Sequence, residues 1–266
     1  MDLQLSGKTA LITGGSRGIG KAIALMLAAE GVELALVART AAALDDAATE
    51  IRRTTGRTVL PLAADTGETD AVNTAVEQAA RELGRIDILV NCAARPGGAP
   101  PQPGVENLPD DAFMEQINVK VLGYLRCARA VVPHMKSQGW GRIVNISGLA
   151  ARQSGNTIGS VRNVAVSALT KNLADELGPF GINVTCVHPG LTWTESMEEV
   201  MGQQAANRGE TLDAARQRLA EQNAVRRIID AKDIAYIVAF LASPLAVAIT
   251  GDTIAAGGGV GRAIYY

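Results

Sequence analysis

Soft metal ligands are scarce in this chain of 266 residues: three cysteines, Cys92, Cys127 and Cys186, and two histidines, His134 and His188. The cysteines are widely spaced, odd in number and set in apolar stretches, with no Cys-x-x-Cys pair. That pattern predicts buried reduced thiols and no metal site. Charge of one sign is missing too. Lys and Arg number 25 against 27 Asp and Glu, a formal net charge of −2 with no run of like charge, so nothing holds a phosphate backbone and no nucleic acid partner is expected. The start, MDLQLSGKTALITGG, has no basic segment followed by an apolar one, which predicts no secretory leader and a cytoplasmic location. No apolar run matches a membrane span of ~20 residues. The nearest, Ala235 to Gly251, is broken by Ser243-Pro244 and reads as a buried helix followed by a turn.

What is present is an ordinary globular composition, 47% hydrophobic and 20% charged, which excludes disorder and coiled coil. Short aliphatic or β-branched runs alternate with longer helical patterns, as in βαβ units around a parallel sheet covered on both faces. Strands are predicted at Thr9–Thr13, Glu33–Ala38, Val59–Ala63, Ile86–Asn91, Gly141–Ser147, Asn183–His188 and Asp252–Ala256. Helices are predicted at Gly18–Glu30, Ala41–Thr55, Thr69–Leu83, Asp110–Ser137, Thr157–Leu177 and Lys232–Ala242. The expected architecture is α/β: one Rossmann-type domain over residues 1–266, with a doubly wound, seven-stranded parallel sheet. Two segments break the alternation. Arg95 to Pro109, with five prolines and three glycines, reads as a surface loop, and Leu191 to Gln222 follows a strand end and reads as a polar, helical lid over a cleft.

The first strand runs into Thr13-Gly14-Gly15-Ser16-Arg17-Gly18-Ile19-Gly20 and then a helix. Glycines at such a turn let the backbone approach a pyrophosphate, and the helix N-terminus supplies N–H donors and a favourable dipole. Here the chain resembles the short-chain dehydrogenase/reductase family, whose TGxxxGxG motif is matched by Thr13, Gly14, Gly18 and Gly20. The resemblance continues along nearly the whole chain. It implies that Asp65 holds the adenine, that Asn91-Cys92-Ala93-Ala94 is a degenerate form of the family's NNAG motif, and that Asn118 supports a water near the active site. Pro189-Gly190, Thr194 and Ile249-Thr250-Gly251 fit the same pattern. The cofactor set is therefore Gly14, Ser16, Arg17, Gly18, Ile19, Gly20, Arg39, Asp65, Asn91, Ala93, Asn163, Pro189, Gly190, Thr192 and Thr194. At the end of the second strand Ala38-Arg39-Thr40 has no carboxylate for a free ribose 2′-hydroxyl. Arg39, with Arg17, would face the 2′-phosphate of NADP, so NADP is expected over NAD.

The family's chemistry rests on a Tyr-x-x-x-Lys pair, and the register set by Ala168–Leu177 puts Gly159 at the tyrosine and Asn163 at the lysine. None of the four tyrosines, Tyr124, Tyr236, Tyr265 and Tyr266, lies on that helix, and Lys171 is the family's later, non-catalytic lysine. The serine position aligns with Gly148, leaving Ser147 beside it. Around this gap lie Arg152, Ser154, Asn156, Thr157, Ser160, Arg162 and Asn163. An arginine there stabilises an oxyanion or clamps a carboxylate, Asn163 can bond the nicotinamide ribose, and His188 reads as structural. Ser147, Asn118, Asn163 and Arg162 are the candidate catalytic residues. Two readings follow: an NADP-dependent oxidoreductase acting on a small carbonyl or alcohol by an atypical route, or a catalytically silent NADP-binding sensor or partner subunit. The long helices Asp110–Ser137 and Thr157–Leu177 resemble those through which family members pair, so a homodimer or homotetramer is expected. Val121, Leu125, Ala128 and Val132 recur on the first of them at helical spacing, as an interface or a sheet-facing stripe requires.

Overall fold

Aliphatic segments buried on both faces have nowhere to go but the middle of a three-layer structure, and that is where they lie. A computed structural model of the protein describes residues 1–94 and 104–261. Its strands are β1 (Thr9–Thr13), β2 (Glu33–Ala38), β3 (Val59–Ala63), β4 (Ile88–Asn91), β5 (Gly141–Ile146), β6 (Ile182–Pro189), β7 (Thr192–Trp193), β8 (Ile229–Asp230) and β9 (Thr253–Ala256). Seven of them form one parallel sheet in the order β3-β2-β1-β4-β5-β6-β9, while β7 and β8 pair separately. The α/β, doubly wound expectation is thus met. The helices are α1 (Gly18–Ala29), α2 (Ala41–Thr55), α3 (Thr69–Leu83), α4 (Asp110–Gln116), α5 (Gly123–Gln138), α6 (Thr157–Leu177), α7 (Glu195–Arg208), α8 (Leu212–Ala220) and α9 (Ala231–Ala242). One core packs residues of α1, α2 and α9, such as Ile23, Leu44 and Val238, on one sheet face. The other packs Val76, Val131 and Leu177 of α3, α5 and α6 on the opposite face.

The order reverses between β1 and β4, and ligands of open α/β sheets bind beyond the strand ends at such a point. Register sets the level: Thr13 pairs with Asn91, and Asn91 with Asn145. An internal polar ladder holds it, with Asn91 Nδ2 donating to Asn145 Oδ1 at 2.9 Å and Asn145 Nδ2 to Thr170 Oγ1 at 2.9 Å.

Three expectations need correction. The helix over Asp110–Ser137 is not uniform, because residues Ile117–Leu122 form a π-helical turn between α4 and α5. Such bulges rotate the side chains that follow, and the buried face of α5 carries Tyr124, Cys127, Ala128, Val131 and Met135. Val121 and Val132 pack partly against the cores on the sheet side. The fourth strand starts at Ile88 rather than Ile86, since the Asp87 carboxylate, fully buried, accepts from Thr9 N–H at 3.0 Å and from Arg85. Leu191–Gln222, expected to be helical, holds the helices α7 and α8 but opens on the short strand β7. Most of the Arg95–Pro109 loop lies outside the described residues, and Val105–Asn107 within it is a 3-10 turn. Among the described residues no helix is long and apolar enough to cross a membrane, and the three cysteines carry no disulfide.

Candidate active site

At the end of β1 the chain turns through Gly14, whose φ of +70° favours glycine. A Cβ there would also lie 3.0 Å from Ala93 N and Cys92 O. Thr13 Oγ1 accepts from Cys92 N–H and Ala93 N–H at 3.0 and 3.1 Å, drawing the end of β4 against the turn. Gly20 sits where a Cβ would fall 2.2 Å from Gly14 O. Backbone thus packs on backbone, and α1 begins at Gly18 with no side-chain cap from its N-cap residue, Arg17. Its first N–H groups are orphan donors aimed at the crevice. One is in use: Gly18 N–H donates to Glu195 Oε2 at 3.2 Å. Thr194 and Glu195 open α7, with Thr194 Oγ1 capping it by accepting from Met197 N–H at 3.3 Å.

The other expected cofactor residues fall around the same crevice. Arg17 and Arg39 are exposed at the ends of β1 and β2, and Ser16 and Ile19 belong to the glycine turn. Half-buried Asp65 follows β3, and its Oδ1 accepts from Gly67 N–H at 2.8 Å. Gly190 N–H donates to Ala256 O at 3.2 Å and Thr192 Oγ1 to Gly190 O at 3.1 Å, shaping the turn after Pro189. Asn91 differs from expectation. Its side chain faces inward to the ladder and is wholly buried.

At the far end of the crevice three small or neutral residues stand together. Asn156 Oδ1 accepts from Gly159 N–H at 2.7 Å, and a Cβ on Gly159 would meet the Asn156 side chain at 2.8 Å. A Cβ on Gly148 would lie 3.0 Å from Asn163 Nδ2. Asn163 is 4% exposed, and its Oδ1 is buried without a hydrogen-bond partner. Ser147 Oγ donates to Asn163 O at 3.0 Å, so this hydroxyl is spent on the α6 backbone. His188 is locked as well: Nδ1 accepts from Gly148 N–H at 3.2 Å, and Nε2 lies 3.2 Å from Ser167 Oγ. Burial, with Arg152 and Lys120 nearby, pushes its pKa down to about 4, so the ring is neutral.

Asn118 is not brought to this group. Its Nδ2 donates to Gly67 O at 3.4 Å and its Oδ1 accepts from Arg126 at 2.8 Å, which turns the side chain toward the segment after β3. The residue of the π-turn that does reach β5 is Lys120, which the sequence reading missed. It is 4% exposed, with Nζ donating to Ser147 O at 3.0 Å. Its signal was available, since Lys120, Tyr124, Cys127, Val131 and Met135 recur on one buried face. Burial, then the neighbouring Arg162, lowers its pKa to about 7. Arg162, half-buried on α6, bonds Gln116 Oε1 through Nη1, while its Nε is buried without a partner. Desolvation lowers its pKa.

A family model described as short chain dehydrogenase matches residues 8–205. The short-chain reductase protein NovJ of Streptomyces niveus is 36% identical over 251 residues, covering 94% of this chain and 92% of that one. A peroxisomal 2,4-dienoyl-CoA reductase of Pongo abelii is 34% identical over 262 residues, covering 96% and 84%. Among solved structures, L-sorbose reductase from Gluconobacter frateurii, complexed with NADPH and L-sorbose, superposes with a TM-score of 0.92 at 30% identity, covering 99% of this chain and all of that one. An NAD+-bound xylitol dehydrogenase superposes with a TM-score of 0.86 at 30% identity over 96% of this chain. With its glycine turn, strand order and these relatives in agreement, the chain belongs to the short-chain dehydrogenase/reductase family of NAD(P)-dependent oxidoreductases.

Proposed function

We propose that the protein is an NADP-dependent oxidoreductase that moves a hydride between the nicotinamide and a small carbonyl or alcohol substrate without the family's phenol and ammonium. The observation that carries this reading is Asn163 Oδ1, a buried acceptor with no partner. Leaving such a group unmade costs about 1–3 kcal/mol, and a nicotinamide ribose hydroxyl is the donor that would satisfy it. The donors of α1 fit the pyrophosphate, and exposed Arg17 and Arg39 fit a 2′-phosphate. The bound cofactor supplies the hydride. The chain's part is then to hold the ribose at Asn163, exclude water beneath Ser147 and Asn163, and place positive charge near the reacting oxygen. The segment 191–222 would close over the glycine turn, as the Gly18 to Glu195 hydrogen bond already ties the two.

Titrating nicotinamide fluorescence with NADPH and NADH tests this. Binding of NADPH at least about tenfold tighter than NADH is expected, with Asn163→Ala weakening both by about tenfold, in line with one buried hydrogen bond. Equal affinities would remove the NADP assignment, and absence of binding would remove the reading. A second reading, a catalytically silent NADP-binding protein, is favoured by the packing of Gly148 against Asn163 and of Gly159 against Asn156, none of which titrates. It predicts tight NADPH binding with no hydride transfer to any carbonyl in a single-turnover assay.

A further inference from the structure

Lys120 and Arg162 approach one another from the π-turn and from α6, beside Ser147 and Asn163. Among the described residues neither forms an ion pair with a carboxylate. The groups that act electrostatically on Lys120 are Arg162 on α6, Cys92 after β4 and Cys186 on β6, while Arg162 feels Tyr124 of α5. His188 on β6 is depressed by Lys120 and Arg152. Not one of these is an Asp or Glu. A half-buried arginine and a buried lysine whose pKa is lowered to about 7, with an amide and a carbonyl as their hydrogen-bond acceptors, form a basic cluster that an added negative charge would complete, drawing a proton onto Lys120. The pyrophosphate of a cofactor would be held elsewhere, at the start of α1. At the positions of the family's phenol and hydroxymethyl, Gly159 and Gly148, a Cβ would meet the Asn156 side chain at 2.8 Å and Asn163 Nδ2 at 3.0 Å, so uncharged amides stand there in their place.

We infer that the protein takes an anionic substrate beside this cluster, an oxo acid or a compound reacting through an enolate, with its negative charge set against the Arg162 guanidinium and Lys120 supplying field from behind Ser147. The inference rests on the oxidoreductase reading and names its substrate class. Arg162 is the binding group, with its buried Nε and a planar fork suited to a carboxylate. Lys120 acts through position, since its Nζ is committed to Ser147 O.

The experiment is calorimetric titration of the NADPH complex with malonate at pH 7.5, repeated in buffers of differing ionisation enthalpy, with dimethyl malonate as the uncharged control. NADPH binding is measured first on the same sample, and its absence would strike the oxidoreductase reading alone. With NADPH bound, malonate is expected to bind with net proton uptake, because an anion raises the pKa of Lys120 from about 7. Arg162→Gln should weaken malonate at least about tenfold, and Arg162→Lys should recover part of the loss. Lys120→Met should abolish the proton uptake while leaving NADPH affinity within about twofold, with thermal melting confirming that each variant is folded. No malonate binding, equal binding of the diester, or an Arg162→Gln variant that binds malonate as the parent does would overturn the inference.

Discussion

Glu195 is the residue whose contact says most about the resting protein. A carboxylate on the first N–H of α1 stands where a phosphate oxygen is favoured, and acidic groups at helix N-termini stabilise by about 0.3–1 kcal/mol. A dinucleotide bound at this turn would have to displace that carboxylate or lie against it. Glu195→Gln, which keeps an acceptor but removes the charge, should tighten NADPH by about three- to tenfold at low salt, and the gain should shrink as ionic strength rises. Fluorescence titrations at two salt concentrations check this, and an unchanged or weaker dissociation constant would show that the contact does not compete. The glycines around Glu195 were legible in the sequence because a strand-to-helix turn needs them at fixed places. Glu195 was not, since its role comes from a meeting of residues 177 positions apart. Lys120 is the intermediate case, visible as a lysine on a buried helical face but hidden by the stripe of Val121, Leu125, Ala128 and Val132 beside it.

At the scale of elements, strand positions followed from runs of β-branched and aliphatic residues, and all seven sheet strands begin and end within two residues of expectation. The π-turn at Ile117–Leu122 was invisible, because periodicity sees only one helical pitch. It matters, for it delivers Lys120 rather than Asn118 to the end of β5. The start of α6 is likewise adapted to what it lacks. Asn156 caps the helix through Gly159 N–H, at about 1 kcal/mol for such a cap. A tyrosine returned at 159 therefore requires the Asn156 side chain to shift, and a serine at 148 requires the Asn163 amide to give way. Reduction of simple ketones and aldehydes by the parent should be very weak, since general acid catalysis contributes about 100- to 10,000-fold. Gly159→Tyr with Asn163→Lys alone should recover little of it. Adding Gly148→Ser, now free of the Asn163 amide, and Asn156→Ser, a smaller cap, should raise the rate by at least about tenfold over the double variant. Steady-state assays on NADPH-saturated protein decide, and equal rates for the double and quadruple variants would show that packing at these positions is not what limits the chemistry.

For the whole molecule, two of the groups of apolar side chains left uncovered among the described residues lie on or beside helices that flank the sheet. On α6 Val161 and Val164 are 44% and 50% exposed, near Leu122 at 39% and Met114 at 57% on the neighbouring helical run. At the other end Tyr236, Leu245 and Val247 are 50%, 41% and 65% exposed on and after α9. Single exposed valines need no explanation, but clusters on adjacent helices mark contact surfaces. A two-fold contact buries the same patch on both copies, and two distinct patches lead from dimer to tetramer. Light scattering at micromolar concentration should therefore give a multiple of the 27.7 kDa chain mass. Val164→Asp should dissociate the contact through α6, because it buries a carboxylate with no partner at the centre of an apolar face. Val247→Asp should leave a dimer where the parent forms a tetramer. The dimer contact would also bear on the site, since Val161 and Val164 flank Arg162 and Asn163 on α6. Loss of the contact should then weaken malonate and NADPH together, whereas Val247→Asp should leave both unchanged. A parent that runs as a monomer, or a Val164→Asp variant with the parent's mass, would mean that α6 meets solvent instead of a second copy.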